Sequence, residues 1–220
     1  MDSFNEHFEH LSKDPVLKYL IEKIGDKIRL SDRYEKDLAK AVSQIIIEQQ
    51  VSFKAAITIK KRFNNLIGKL SYKNIQEIDN KDLQSIGISF KKVEYIKNVY
   101  LYFLNNKLDF KILEDKEVIN ELTKIKGVGK WTAEMFLIFI LFRKNIFSNG
   151  DLALLNSIKI NYNLKILTNP KLESLKKRWG PYKTVASLLL WKSIEKKIFY
   201  QKSEINYKCY FKKMAKNGQK

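Results

Sequence analysis

The stretch Leu122-Thr-Lys-Ile-Lys-Gly-Val-Gly-Lys-Trp-Thr-Ala133 concentrates residues that can handle an anion. Gly127 and Gly129 bracket Val128 between two runs of helical periodicity. Paired glycines allow torsions that other residues resist, and they let a second backbone approach closely. The helix that follows opens with N–H groups that have no partner in a preceding turn. Those donors and the helix dipole favour a phosphate, and Lys130 adds a positive charge at the same point. Asp151 stands directly ahead of a second apolar helical run that begins at Leu152. Asp is a favoured N-cap, and a helix N-terminus favours negative charge.

The residue inventory excludes several other chemistries. The single Cys209 cannot form an internal disulfide, a four-thiolate iron–sulfur cluster or a cysteine-based zinc site. His7 and His10 are the only histidines, so neither a Ser–His–Asp triad nor a histidine metal cage is expected. The longest apolar run, Met135 to Phe142, is far short of the ~20 residues that span a bilayer. The N-terminus MDSFNEHFEH is acidic and polar and does not read as a secretory signal, so an intracellular protein is expected.

The chain has 220 residues, enough for one ordinary domain or two small lobes sharing a core. Lys+Arg number 42 against 24 Asp+Glu, a formal charge of +18 that favours a polyanionic partner, nucleic acid first. The basic residues are 37 Lys and only 5 Arg, alongside 26 Ile and 17 Asn. An A/T-rich coding sequence produces the same skew, so the charge supports the nucleic-acid reading and does not carry it.

Eight Gly and three Pro leave few breakers, and the periodicity is helical almost throughout, which predicts an all-α fold. Helices are predicted at Pro15–Ile24, capped by Asp14, and at Tyr34–Gln50. Another starts at the cap Ser52, with short ones around Ile75 and Leu83 and a long one at Phe90–Leu104. Further helices are predicted at Glu117–Ile125, Lys130–Phe142, Leu152–Ile160, Leu172–Trp179 and Pro181–Phe199. From Lys196 onward eight Lys accompany one acidic residue, Glu204, and interleave with Tyr200, Tyr207, Tyr210 and Phe211. Such a tail fits either a solvated terminus or a phosphate-contacting extension with stacking rings.

The flanking pattern L-x-x-I-x-G-V-G-x-W-T-A resembles the helix-hairpin-helix motif of DNA-binding proteins. Four other stretches resemble one family in the right order: Ile46-Ile-Glu-Gln-Gln-Val-Ser52, Ile86-Gly-Ile-Ser-Phe-Lys-Lys-Val-Glu-Tyr-Ile96, Phe147-Ser-Asn-Gly-Asp-Leu-Ala-Leu154 and Arg178-Trp-Gly-Pro-Tyr-Lys-Thr-Val-Ala-Ser-Leu-Leu-Leu-Trp191. Together they are similar to the helix-hairpin-helix DNA glycosylase superfamily, and within it to the 3-methyladenine DNA glycosylases. The resemblance implies a compact all-α form without an N-terminal β-rich domain. Residues 1–220 would be a single unit of two interleaved helical lobes, with the active-site cleft between them, the helix-hairpin-helix at about 117–142 and the Lys-rich tail at about 200–220. The partner would be double-stranded DNA containing damaged bases, with no membrane and no second copy required. The place of action would be with DNA, in a bacterial or archaeal cytoplasm or a eukaryotic nucleus.

The same resemblance implies roles. Bifunctional members attack the sugar with a lysine two residues after the second hairpin glycine; here that slot is Trp131, and Lys130 lies roughly 100° around the helix. A monofunctional hydrolase is therefore expected. Asp151 matches the family's essential aspartate, which stabilises positive charge at the sugar carbon and orients water. Trp131, Met135 and Trp191 match positions lining the base pocket, where aromatic faces hold a cationic ring. Met135 replaces a Tyr found in some members. Gln50 matches the wedge that fills the gap left by an extruded base. Ser52, Gly127, Val128, Gly129, Lys130 and Thr132 match DNA-contacting positions. The carbonyls of Thr123, Ile125 and Val128 match a monovalent-cation site; no iron–sulfur cluster or other cofactor is implied. Two alternatives stay open in the sequence: a glycosylase for another lesion, and a catalytically inactive module that binds damaged or bent DNA. A membrane-surface role has only the basic tail in its favour.

Overall fold

The computed structural model describes residues 4–200, which are helical with no strand among them. The Lys-rich tail from residue 201, with Cys209, lies outside the described residues. No helix among the described residues is long and apolar enough to cross a membrane. The chain forms two compact units. Among the described residues one is continuous, from Tyr34 to Leu141. The other is discontinuous, taking the described residues through Arg33 and again from Phe142.

Capping side chains set most helix starts. Helix α1 is Asn5–Leu11 and α2 is Pro15–Ile24. The Asp14 carboxylate accepts from the Val16 N–H at 3.0 Å, and Pro15 takes the first helical position, where its missing donor does no harm. Helix α3, Leu38–Glu48, begins on Asp37; α4, Phe53–Ile67, begins on Ser52, whose hydroxyl accepts from the Ala55 N–H at 3.2 Å. Then come α5 (Tyr72–Glu77), α6 (Asn80–Ser85) and α7 (Phe90–Asn105). Helix α8 is Asp115–Leu122 and α9 is Lys130–Phe139. Last are α10 (Leu152–Asn161), α11 (Asn169–Trp179) and α12 (Lys183–Lys196).

In the continuous unit α3 is central. Its Ala39, Val42, Ile45 and Ile46 are buried, and it packs on α7 and α9. Helix α7 answers with Val93, Ile96, Val99 and Tyr100. In the discontinuous unit α12 is central: Thr184 through Leu190 are all buried, and α2 and α10 lie against it. Val16, Leu17, Leu20 and Ile24 line the inner face of α2. Each such side chain contributes about 1.5–3 kcal/mol on burial.

Several element ends are shorter than the sequence predicts. Helix α3 starts at Leu38 because Asp37 is its cap, and it stops at Glu48 because Gln50 takes φ +58. Helix α9 stops at Phe139, short of Phe142, which stands at φ +54. Helix α12 is confined to Lys183–Lys196 by the turn through Pro181 and by left-handed Lys197. Helix α1 is not predicted at all: its buried positions His7 and Leu11, with Phe4 before them, have helical spacing but sit among acidic and polar residues.

Candidate active site and nucleic-acid interface

Asp151 lies in the discontinuous unit as the N-cap of α10 and is 9% exposed. Its Oδ1 accepts from the Leu154 N–H at 2.7 Å and from the Trp191 indole N–H at 3.2 Å. The structure thus joins two of the residues singled out in the sequence, the aspartate and the tryptophan of α12. Half-buried Trp191 presents its polar edge to the carboxylate, so core packing is not its whole role. Arg33, which the sequence reading overlooks, has its charge close enough to interact with Asp151. Burial lowers its guanidinium to about 10, and the negative charge of Asp151 opposes that fall. Nothing in the local sequence marks Arg33, because the pairing joins the two separated parts of one unit.

The segment leading to Asp151 is held by α12. Thr184 donates to the Arg143 carbonyl at 2.6 Å and accepts from the Ile146 N–H at 3.1 Å, while its own N–H reaches the Lys144 carbonyl at 3.1 Å. Trp179, fully buried, packs on Phe147 with ring centroids 5.9 Å apart. The R-W-G-P-Y-K-T signature is therefore the mount of the aspartate segment. Between α10 and α12 a buried polar cluster fixes the register: Ser157 donates to the Leu190 carbonyl at 2.6 Å, and Asn161 Nδ2 reaches Ser193 Oγ at 3.0 Å. Thr184→Val keeps the shape of the side chain and leaves the Ile146 N–H without its acceptor. Its expected effect is a loss of about 1–3 kcal/mol in stability by denaturant unfolding.

The hairpin lies in the continuous unit, between α8 and α9. Its two glycines do different work. Gly127 has φ +101 and rests on Tyr95 of α7, leaving no room for a Cβ. Gly129 has an ordinary φ of −92, and nothing lies within 4 Å of where its Cβ would be. Backbone freedom explains only the first; the second leaves the approach to α9 open. No side chain caps α9, and Lys130 is exposed at its first position. An uncapped start, open space and an exposed ammonium are the features that favour an anion at a helix N-terminus.

Burial decides how three residues of this motif can act. Thr132 is 1% exposed and its hydroxyl accepts from Gln49 Nε2 at 2.9 Å, so its side chain faces inward rather than to a ligand. The Val128 side chain is also buried, leaving only its backbone for contacts. Met135 is 1% exposed within a run, Thr132 to Ile140, that is buried throughout, so its sulfur is a core group and is not presented to a base. Trp131, one turn earlier, is half-buried.

The turn between α3 and α4 carries Gln50 and Ser52, both exposed. Gln49 Nε2 also approaches the Gly127 carbonyl, at 3.4 Å. From α7, Lys92 Nζ donates to the carbonyls of Ile47 at 3.0 Å and Gln49 at 2.6 Å. Burial alone lowers the Lys92 ammonium to about 8. Gln49 and Lys92 lie within the motifs but have no role legible in the sequence; a half-buried Lys after a serine helix cap has no local signature. Among the described residues no group of three or more His, Cys, Asp or Glu is placed to hold a metal ion.

The chain is similar to known DNA repair proteins. The family model for HhH-GPD superfamily base excision DNA repair proteins matches residues 43–181. The DNA-3-methyladenine glycosylase of Saccharomyces cerevisiae is 29% identical over 237 residues, covering 87% of this chain and 80% of that protein. DNA-3-methyladenine glycosylase 1 of Schizosaccharomyces pombe is 28% identical over 193 residues, covering 84% and 85%. A solved structure of the S. pombe 3-methyladenine DNA glycosylase Mag1 in complex with abasic DNA superposes with a TM-score of 0.80 at 27% identity, over 86% of this chain and 97% of that one.

Proposed function

Because the chain belongs to the HhH-GPD superfamily of base excision DNA repair proteins, we propose that it is a monofunctional DNA glycosylase acting on alkylated bases in double-stranded DNA. It hydrolyses the N-glycosidic bond of bases such as 3-methyladenine and 7-methylguanine and leaves an abasic site. The observation that carries the reading is Asp151, buried at the head of α10 with the Trp191 N–H on its carboxylate, together with Trp131 in place of a nucleophilic lysine.

The mechanism follows from charge. A base alkylated at a ring nitrogen is cationic and leaves with the electron pair of the glycosidic bond, becoming neutral. The sugar carbon becomes oxocarbenium-like, and a fixed carboxylate, Asp151, stabilises that charge. Water adds to the carbon and its proton passes to the carboxylate or to solvent. Little help is needed at the leaving group, so a dedicated general acid is not required. Trp191, beside the Asp151 carboxylate, offers an aromatic face to the electron-poor ring. Gln50 fills the gap left by the extruded base, and the hairpin N-terminus with Lys130 holds phosphate. A monovalent cation would be held by the carbonyls of Thr123, Ile125 and Val128; Thr123 closes α8, at the negative end of its dipole. The protein acts as a monomer, inside the cell with DNA.

The test is base release from methylated duplex DNA, with strand nicks scored before and after alkali. Free methylated base and nicks only after alkali are expected. Lys130→Ala is expected to weaken DNA binding severalfold while still releasing base. Nicks without alkali that vanish in Lys130→Ala would instead assign a lyase.

A further inference from the structure

We propose that Lys92 is a positioning residue for base extrusion: from α7 it clamps the end of α3 and so fixes the turn that projects Gln50. The inference rests on the reading of Gln50 as the group that fills the gap in the duplex.

A helix end leaves its last carbonyls without intrahelical partners and carries partial negative charge. At the end of α3 the Lys92 ammonium takes up two carbonyls, of Ile47 and Gln49. The second belongs to the peptide that joins Gln49 to Gln50, so the bond fixes the plane from which Gln50 departs. The Gln49 side chain is tied in turn to Thr132 of α9. The 49–50 peptide is thus held by Lys92 of α7 and, through Gln49, by α9.

Gln50 itself is exposed at φ +58, a conformation that a non-glycine residue adopts only under constraint. No hydrogen bond from the Gln50 side chain is found among the described residues, so the constraint comes from its neighbours. Such torsions persist where the surroundings over-determine them, and they cluster where a side chain must be presented. A half-buried ammonium is a demanding way to satisfy two carbonyls, since desolvation works against its charge. What it supplies, and a water would not, is a covalent tether to α7. That helix also places Tyr95 under Gly127, so one rigid element sets both the extrusion turn and the phosphate-binding hairpin.

The experiment is a double-mutant cycle on the full chain. The variants are Lys92→Met, Gln50→Ala and both together. The readouts are single-turnover base release at saturating enzyme, fluorescence of a 2-aminopurine beside the lesion, and affinity for undamaged duplex. Lys92→Met is expected to slow extrusion and release about tenfold while changing affinity for undamaged duplex less than about twofold. On the Gln50→Ala background it is expected to add less than about twofold, because residues acting through one another are not additive. A full tenfold loss on that background, or no loss in the single variant, overturns the proposal. Wild-type extrusion in Gln50→Ala marks the distinct failure of the wedge reading. If Lys92→Met does not fold, as judged by thermal unfolding, Lys92→Arg and Lys92→Gln carry the same cycle. Arg, which keeps charged donors, is expected to rescue extrusion, and Gln is not; equal extrusion in the two overturns the proposal.

Discussion

Asp151→Asn is expected to lower the single-turnover release of methylated base by about 10²–10³-fold while costing less thermal stability than Asp151→Ala, since it loses only the charge that faces Arg33. The two effects separate because the residue does two jobs with different chemical requirements. As a cap, Oδ1 accepts from the Leu154 N–H and from the Trp191 indole. An amide oxygen accepts both bonds, and Asn is among the best N-caps. As the stabiliser of a positive sugar carbon, the residue needs a negative charge, which an amide lacks. Asp151→Ala gives the contrast: it removes the cap as well, at about 1 kcal/mol, and deprives the Trp191 N–H of its acceptor. Release within about threefold of wild type in Asp151→Asn would falsify the catalytic assignment. A fall in melting temperature as large as that of Asp151→Ala would reduce the residue to a structural cap.

The second large effect is expected at the hairpin. In Gly127→Ala the new Cβ would stand 2.1 Å from Cγ of Tyr95 and 2.5 Å from its Cβ. These atoms are at the root of the side chain, so swinging the ring about its bonds does not relieve the collision. The left-handed φ of +101 adds torsional strain. The combined expectation is a loss of about 2–4 kcal/mol in unfolding free energy and at least tenfold in DNA affinity. Adding Tyr95→Ala removes the collision and keeps the strain, so part of the DNA affinity should return. Gly129→Ala is the opposite case. Its φ is ordinary and its surroundings are empty, so stability should stay within about 0.5 kcal/mol. DNA affinity should still fall, because the methyl group occupies the path of the phosphate. Unchanged affinity in Gly129→Ala would remove the hairpin from the interface.

What the sequence makes legible is what depends on neighbours in the chain. Asp14, Ser52 and Asp151 announce helix starts, because a cap and the N–H it accepts from are two or three residues apart. The hairpin and its uncapped second helix are legible for the same reason. What stays hidden depends on long-range packing. The bond from Trp191 to Asp151 spans 40 residues, and that from Lys92 to Ile47 spans 45. Thr184 reads as part of a motif, but nothing local says that its hydroxyl holds the segment ahead of Asp151. Met135 shows the limit of matching by position: its place in the motif is legible, but its burial at 1% exposure is set by packing that the local sequence does not show.

The order of the two units along the chain has a consequence for synthesis. Tyr34–Leu141 is one uninterrupted segment, so every described residue of this unit has left the ribosome once translation has passed Leu141 by the length of the exit tunnel. The unit that holds Asp151 begins earlier and finishes later. Helix α2 emerges with Val16, Leu17, Leu20 and Ile24 directed toward α12, which has not yet been made. More than 150 residues separate the two helices, so that apolar face waits exposed while the continuous unit forms. The nascent protein therefore acquires its hairpin before Asp151 is in place. Slow translation through the last third of the message prolongs the stage at which α2 is open to chaperones or to aggregation.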